Sequence, residues 1–341
     1  MNRTLSGLTA VALSTAVIGG LSACGGADSS SSSAGTSSGG TPVLRLAVSS
    51  YTGYGPYFIG AKKGFFKAAG VDLRPSVVGD DALQRGVAVR AGKLEGFATT
   101  LDTAISTMGK GVPVVNVMAT DTSDGADGVV GGRDMTSVAD LRGKEVAVQS
   151  GTTTQFLLAY ALKKNGLSLD DIKAKDLDPS AAGSAFVAGK VPAAATWEPW
   201  LGQAEKSGGR ILASTKDYPG VIVDTAAISR TWATAHPDAI KGLIAGWDKS
   251  VAYLRSNPDD ALQIISEGLD TKVGDLKDQL ASIRFYTSQD AKPLFGTTGS
   301  PGPLYKVADD AAAFWKSLGA VSTPVSSKDA LDPRYLDDAG N

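Results

Sequence analysis

Short β-rich runs alternate with helix-length runs along most of this chain, and that alternation restricts it to an α/β architecture. Residues 44–50 (LRLAVSS), 71–78, 94–100 and 112–120 read as strands, separated by helical patterns over 56–70, 82–93 and 102–111. The first of these helices is expected to end at Gly70. Beyond Gly128 the pattern restarts, with strands over 145–150, 191–197 and 209–214 and helices over 152–166, around 181–188 and over 200–209. A restart implies a second α/β lobe. From Ala226 onward the sequence turns mostly helical, over 229–257, 258–269, 272–283 and 307–319, and these helices are expected to cover the sheet of the first lobe.

Charge and rare residues narrow the function. Among 341 residues, 33 Lys+Arg stand against 35 Asp+Glu, so there is no basic excess to neutralise a polyphosphate and nucleic acid is not an expected partner. With one Cys and one His, the chain can assemble no intrachain disulfide, no Cys/His zinc cluster and no Cys–His nucleophile pair. A Ser-His-Asp triad would have to use His236, which precedes a helix in a turn or cap position. Neither GxGxxG nor GxxxxGK[ST] occurs, so any ATP-driven step belongs to a separate subunit. No catalytic residue, metal or cofactor is expected.

At the N-terminus, Arg3 is followed by an apolar run rich in small residues and then by Leu21-Ser22-Ala23-Cys24, the pattern of a secretory signal covering residues 1–23. Glycine and serine interruptions weigh against a membrane-spanning helix here. Leu21 to Cys24 resemble the bacterial lipobox, in which the Cys thiol is lipidated and the preceding peptide removed. Cys24 is therefore the expected lipidation site and the link to the membrane, outside the cytoplasm. Residues 24–42 form the lipidated Cys and a Ser/Gly tether; over 25–41 no apolar residue is larger than alanine, so nothing offsets the entropy of ordering it.

Three further segments carry a family resemblance. Tyr51-Thr52-Gly53-Tyr54-Gly55-Pro56-Tyr57 with residues 61–73, then residues 141–167, then Ala194-Ala195-Thr196-Trp197-Glu198-Pro199-Trp200, in this order behind a lipobox, resemble the nitrate/sulfonate/taurine branch of ABC-importer substrate-binding proteins. That resemblance runs from about Val43 to about Tyr335. It implies a two-lobed periplasmic-binding-protein fold closing on a small-molecule ligand without covalent chemistry, with lobe 1 from residues 43–122 plus 223–341 and lobe 2 from 123–222. The expected partner is an ABC transmembrane permease with its own ATPase subunit, and the expected state is a monomer. A lipoprotein that senses a ligand for a membrane receptor, or a pyrimidine-synthase-like enzyme of the same fold, is the alternative.

In open α/β sheets, ligands sit outside the carboxyl ends of the strands. The candidate ligand-binding residues are those that fall at such ends or at the expected crossovers: Tyr51, Tyr54, Thr99, Thr100, Asp102, Asp121, Ser150, Thr152, Thr153, Trp197, Glu198 and Asp224. Structural roles compete with binding at several of them. Asp102 reads as an N-cap, Thr152 with Gln155 fits a capping box, Glu198 can face a helix dipole, and Trp200 reads as packing. The turn from Ser150 to Thr154 opens a helix, where N–H groups and hydroxyls suit an anionic group. Because the set contains acids but no Arg or Lys, it favours a zwitterion, an amine or a neutral heterocycle, with Lys62, Arg85 and Arg133 placed outside it.

Overall fold

The computed structural model of the chain describes residues 40–79 and 81–337. The expected signal peptide, the expected lipidation site Cys24 and most of the expected tether lie outside the described residues. The described residues from 41 to 337 form one compact unit. Eleven strands build its two large sheets: β1 (Val43–Val48), β2 (Asp72–Val77), β3 (Gly96–Thr100), β4 (Val114–Ser123), β5 (Asp127–Gly131), β6 (Glu145–Ala147), β7 (Lys173–Lys175), β8 (Ala193–Trp197), β9 (Arg210–Ser214), β10 (Val223–Ser229) and β11 (Ile283–Phe285).

The six-stranded sheet runs β11-β4-β10-β3-β1-β2 and the five-stranded sheet β7-β6-β8-β5-β9. In the first, β1 is parallel to β2 and β3, while β10 is antiparallel to both of its neighbours, β3 and β4. In the second, β6 is parallel to β7 and β8, while β5 is antiparallel to β8 and β9. The fold is α/β and two-lobed, one lobe on each sheet. Between the sheets the chain passes twice, from β4 to β5 and from β9 to β10. These passages are tied side by side: the hydroxyls of Ser123 and Thr215 lie 2.7 Å apart, the Thr122 hydroxyl donates to the Ile222 carbonyl at 2.7 Å, and the Thr215 N–H donates to the Asp127 carbonyl at 3.0 Å.

The region after Ala226 is mostly helical, as expected, but the sequence reading did not find β10, which includes residues 226–229, or β11 at Ile283. Two alanines in β10 lower its strand propensity, but the strand is buried between two neighbours, where small residues fit. Strand β5 escapes the pattern because two of its five residues are glycine. Gly128 is needed there: a Cβ would lie 2.8 Å from the Ala213 carbonyl oxygen of β9. Other expectations need correction. The helix expected over 56–70 breaks at Gly64, whose φ of 75° is left-handed, into Gly55–Lys63 and Phe65–Ala68. His236 likewise separates helix Arg230–Ala235 from helix Pro237–Ser256.

Helix Thr153–Lys164 serves both lobes. Leu158, Ala161 and Leu162 pack in the core of the five-stranded lobe, whereas Phe156 and Leu157 join the core of the six-stranded lobe. There the Phe156 ring meets Phe314 at 5.3 Å and Trp315 at 6.3 Å between centroids. On the outer side of the six-stranded sheet, helix Pro237–Ser256 packs so tightly that a Cβ on Gly242 would stand 2.3 Å from the Ala69 carbonyl oxygen. That neighbour is backbone and yields little. Gly242→Ala is expected to lower the unfolding free energy by about 1–3 kcal/mol through overpacking, more than the roughly 1 kcal/mol of helix propensity it adds. Urea denaturation checks this, and an unchanged or raised midpoint contradicts the packing described.

Candidate functional site

Where the two sheets face each other lies a cavity of about 260 Å³. Parallel strands bring their carboxyl ends to it: Tyr51 and Tyr54 follow β1, Thr99 and Thr100 end β3, Gln149 to Thr153 follow β6, and Trp197 ends β8. Antiparallel strands bring their amino ends, Asp224 from β10 and Asp127 from β5. Of the twelve residues singled out in the sequence, nine line this cavity: Tyr51, Tyr54, Thr99, Thr100, Ser150, Thr152, Thr153, Trp197 and Asp224.

The other three do not. Asp121 stands behind Tyr51 and accepts hydrogen bonds from the Tyr51 and Thr120 hydroxyls, both at 3.1 Å. Asp102 stands behind Thr153, whose hydroxyl reaches both carboxylate oxygens at 3.3 Å, and also accepts from Thr103 at 3.2 Å. Glu198 turns away, its Oε2 accepting the Gly202 N–H at 3.1 Å at the start of helix Trp200–Lys206. Trp200 packs against Gly183. Asp102 is not an N-cap; Thr100 holds that position and Asp102 lies in the first turn. Nor does the Thr152–Gln155 capping box form. The Thr152 hydroxyl donates to the Gln149 carbonyl at 2.8 Å, and Gln155 Oε1 accepts the Gly151 N–H at 2.8 Å.

Sequence reasoning missed Asp127, Gln149, Thr103 and Arg85, all in the wall. Thr103 was within reach, one turn beyond Thr100 on the same helix face. Asp127 was hidden because β5 does not read as a strand. Arg85 is buried at 2 % exposure on helix Ala82–Arg90, and its Nη1 donates to the Gly79 carbonyl at 2.7 Å. Of the three cations left outside the candidate set, Lys62, Arg85 and Arg133, Arg85 lies in the wall.

Three helices, Ala82–Arg90, Leu101–Gly109 and Thr153–Lys164, begin in the cavity wall. The first is capped by its own Asp81, which accepts the N–H groups of Leu83 and Gln84. Thr100 and Thr152, at the N-caps of the other two, do not cap with their side chains. Instead Thr153 links the lobes directly, its Oγ1 lying 2.5 Å from that of Thr100 and 2.9 Å from that of Thr103. Helix N-termini with their positive dipole ends favour a negative group.

Against this stands a concentration of buried acid. Asp102, Asp121, Asp127 and Asp224 are all less than a tenth exposed. Burial pushes Asp102 and Asp127 up to about 6 and Asp121 up to about 7, opposed in each case by hydroxyl donors. Asp224 is raised well above the carboxylate range, first by burial and then by Asp121. Burial and these carboxylates also raise the Tyr51 and Tyr54 phenols, so both remain donors; the Tyr54 hydroxyl bonds Asp224.

These shifts have a sign for stability. An unfolded Asp releases its proton near 3.9, whereas the folded protein keeps these protons until about 6 to 7. Between those values the folded state binds more protons than the unfolded one, so stability falls as pH rises. Carboxylates held low by hydrogen bonds, such as Asp140 and Asp290, act only below about 4. The ligand-free protein is therefore expected to melt at a lower temperature at pH 8 than at pH 5 by several degrees. Calorimetric scans across that range check it, and a rising melting temperature contradicts it.

Two α/β lobes with a polar cavity where their strand ends meet define a protein of the periplasmic-binding-protein fold. The chain belongs to the NMT1/THI5-like family, whose model matches residues 52–261. It is 28% identical over 293 residues to a Brucella abortus (strain 2308) protein named as a binding protein, covering 84% of this chain and 89% of that one. It is 24% identical over 220 residues to the taurine-binding periplasmic protein of Escherichia coli (strain K12), covering 62% and 67%. Among solved structures, the periplasmic aliphatic sulphonate binding protein SsuA from Escherichia coli matches with a TM-score of 0.71 at 21% identity, over 85% of this chain and 92% of that one.

Proposed function

We propose that this chain is the substrate-binding lipoprotein of an ABC importer and captures a small zwitterion, a taurine-like aminosulfonate, between its lobes. The observation that carries this is one cavity holding both kinds of recognition group. Arg85 and the helix starts at Thr100 and Thr152 suit a sulfonate, while Asp127 and Asp224 with the tyrosines suit an ammonium. At about 260 Å³ the space is matched to a solute of few heavy atoms. Relatives named for taurine and aliphatic sulphonates support the same class.

In this reading residues 43–122 with 223–341 make one lobe and 123–222 the other, and the ligand-bound lobes present a surface to a transmembrane permease with a separate ATPase. Cys24 carries the lipid that holds the monomer outside the cytoplasmic membrane. Binding proceeds without covalent chemistry in this reading. His236, the chain's one histidine, lies outside the cavity wall with its ring 4.8 Å from that of Trp232, tilted at 50°.

Taurine is expected to raise the melting temperature of the purified protein, because it binds the folded state alone. Arg85→Met is expected to weaken taurine binding by about 1.5–3 kcal/mol, the value of a hydrogen bond to a charged group. A panel of taurine, alkanesulfonates, nitrate, pyrimidines and small amines read by thermal shift checks the class. A response to nitrate or to a pyrimidine with none to taurine overturns the aminosulfonate reading.

A further inference from the structure

Asp121 on β4 and Asp224 on β10 are register partners across an antiparallel pair, next to Thr100 on β3. Directly opposed residues send their side chains to the same face, with Cβ atoms about 4.5–5.5 Å apart. Both carboxyls are dry, at 0 % and 2 % exposure. Two ionised carboxylates so placed repel strongly, and one keeps its proton unless a cation comes near. Each also receives a phenol hydrogen bond, Asp121 from Tyr51 and Asp224 from Tyr54.

The surroundings add more acid than base. Asp127 faces the pair from β5 and Asp102 from helix Leu101–Gly109. Tyr57, on helix Gly55–Lys63, is fully buried there with a hydroxyl that has no hydrogen-bond partner, and Tyr286 follows β11 on the Asp121 side. Arg85 acts on the cluster from the Tyr54 side, and Lys110 joins the cavity wall. Of these four buried acids, Asp224 and Asp127 line the cavity itself and meet a bound solute; Asp81, the exposed cap of helix Ala82–Arg90, also lines it but is engaged by the N–H groups of Leu83 and Gln84.

Resting on the zwitterion reading above, we propose that the solute's ammonium end enters in exchange for a proton: it settles against Asp224 and Asp127, and the proton held by the Asp121–Asp224 pair leaves to solvent. At the acidic end of the site one positive charge enters as one departs, so the charge there is unchanged, while the sulfonate brings its negative charge to Arg85 and the helix starts at Thr100 and Thr152. Burial holds Asp121 at about 7 and Asp224 well above its ordinary value, so the proton is present to be released at neutral and mildly acidic pH. Binding is then tied to pH in a definite direction. Acid competes with the solute for the same carboxylates, and affinity rises as pH rises until the pair has already lost its proton.

Titration calorimetry of the full chain with taurine near pH 6.5, in buffers of different ionisation enthalpy, reads the exchange directly. Close to one proton is expected to be released per taurine bound, with affinity rising about tenfold per pH unit around that pH, for as long as the pair keeps its proton. Propane-1-sulfonate, which replaces the ammonium by a methyl group, is expected to bind at least tenfold more weakly and without proton release. Asp224→Asn, which fixes that position neutral, is expected to suppress the proton release. Taurine binding with no proton release and no pH dependence overturns the exchange while leaving the zwitterion reading intact. Equal binding of propane-1-sulfonate overturns the ammonium's role, and absence of binding by either probe at every pH overturns both readings.

Discussion

The return strand β10 lies antiparallel between β3 and β4 and is hydrogen-bonded to both. Because its direction opposes theirs, its amino end meets their carboxyl ends at one edge of the sheet. Asp224, the second residue of β10, thereby faces Thr100 on one side and Asp121 on the other. The same placement requires the chain to enter β10 beside the exit from β4, which is why the two passages between lobes run together and share the hydrogen bonds of Ser123 and Thr215. The second sheet has β5 in the equivalent position, antiparallel beside β8 and β9, and contributes Asp127 from its amino end. Two reversed strands thus supply Asp224 and Asp127 to the wall, while the parallel strands supply the hydroxyls, the tyrosines and the helix starts.

Such a wall is costly to bury, and the fold offsets the cost locally. Each enclosed carboxylate has hydroxyl donors: Thr153 and Thr103 for Asp102, Tyr51 and Thr120 for Asp121, Tyr54 for Asp224. Ser123 lies against Asp127. Hydroxyls stabilise a carboxylate without bringing a counter-charge, so the acids keep the capacity to attract a cation that a salt bridge would have consumed. Ion pairs do occur, but on the surface, as between Arg45 and Glu95 or Lys306 and Asp310.

Much of this was legible in the sequence because the parallel strands follow the ordinary rules. Apolar runs bounded by turns marked β1, β3, β4 and β8, and the rule that ligands gather at strand ends selected twelve residues, of which nine lie in the cavity wall. What escaped has specific causes. Two glycines in β5 and two alanines in β10 interrupt the β-branched residues of each, so neither reads as a continuous strand. With β5 went Asp127. Arg85 stood outside the candidate set because it lies within a helix and not at a strand end, and the packing of helix Ala82–Arg90 against β3 turns it inward. Asp102 and Asp121 were at the right strand ends, yet one layer too deep to touch a ligand.

The position of β10 also governs the order in which the molecule can fold. The Thr225 hydroxyl donates to the Thr99 carbonyl across 126 positions of the chain, and Trp315 Nε1 donates to the Asp102 carbonyl across 213. Until residues beyond 223 have been synthesised, β3 and β4 lack the strand between them, and Phe156 lacks Phe314 and Trp315. Contacts this distant are slow to form, since loop closure must precede any gain from them. The first half of the polypeptide is thus held back from its final structure, and the binding cavity is among the last features to appear, completed only by the C-terminal third of the chain.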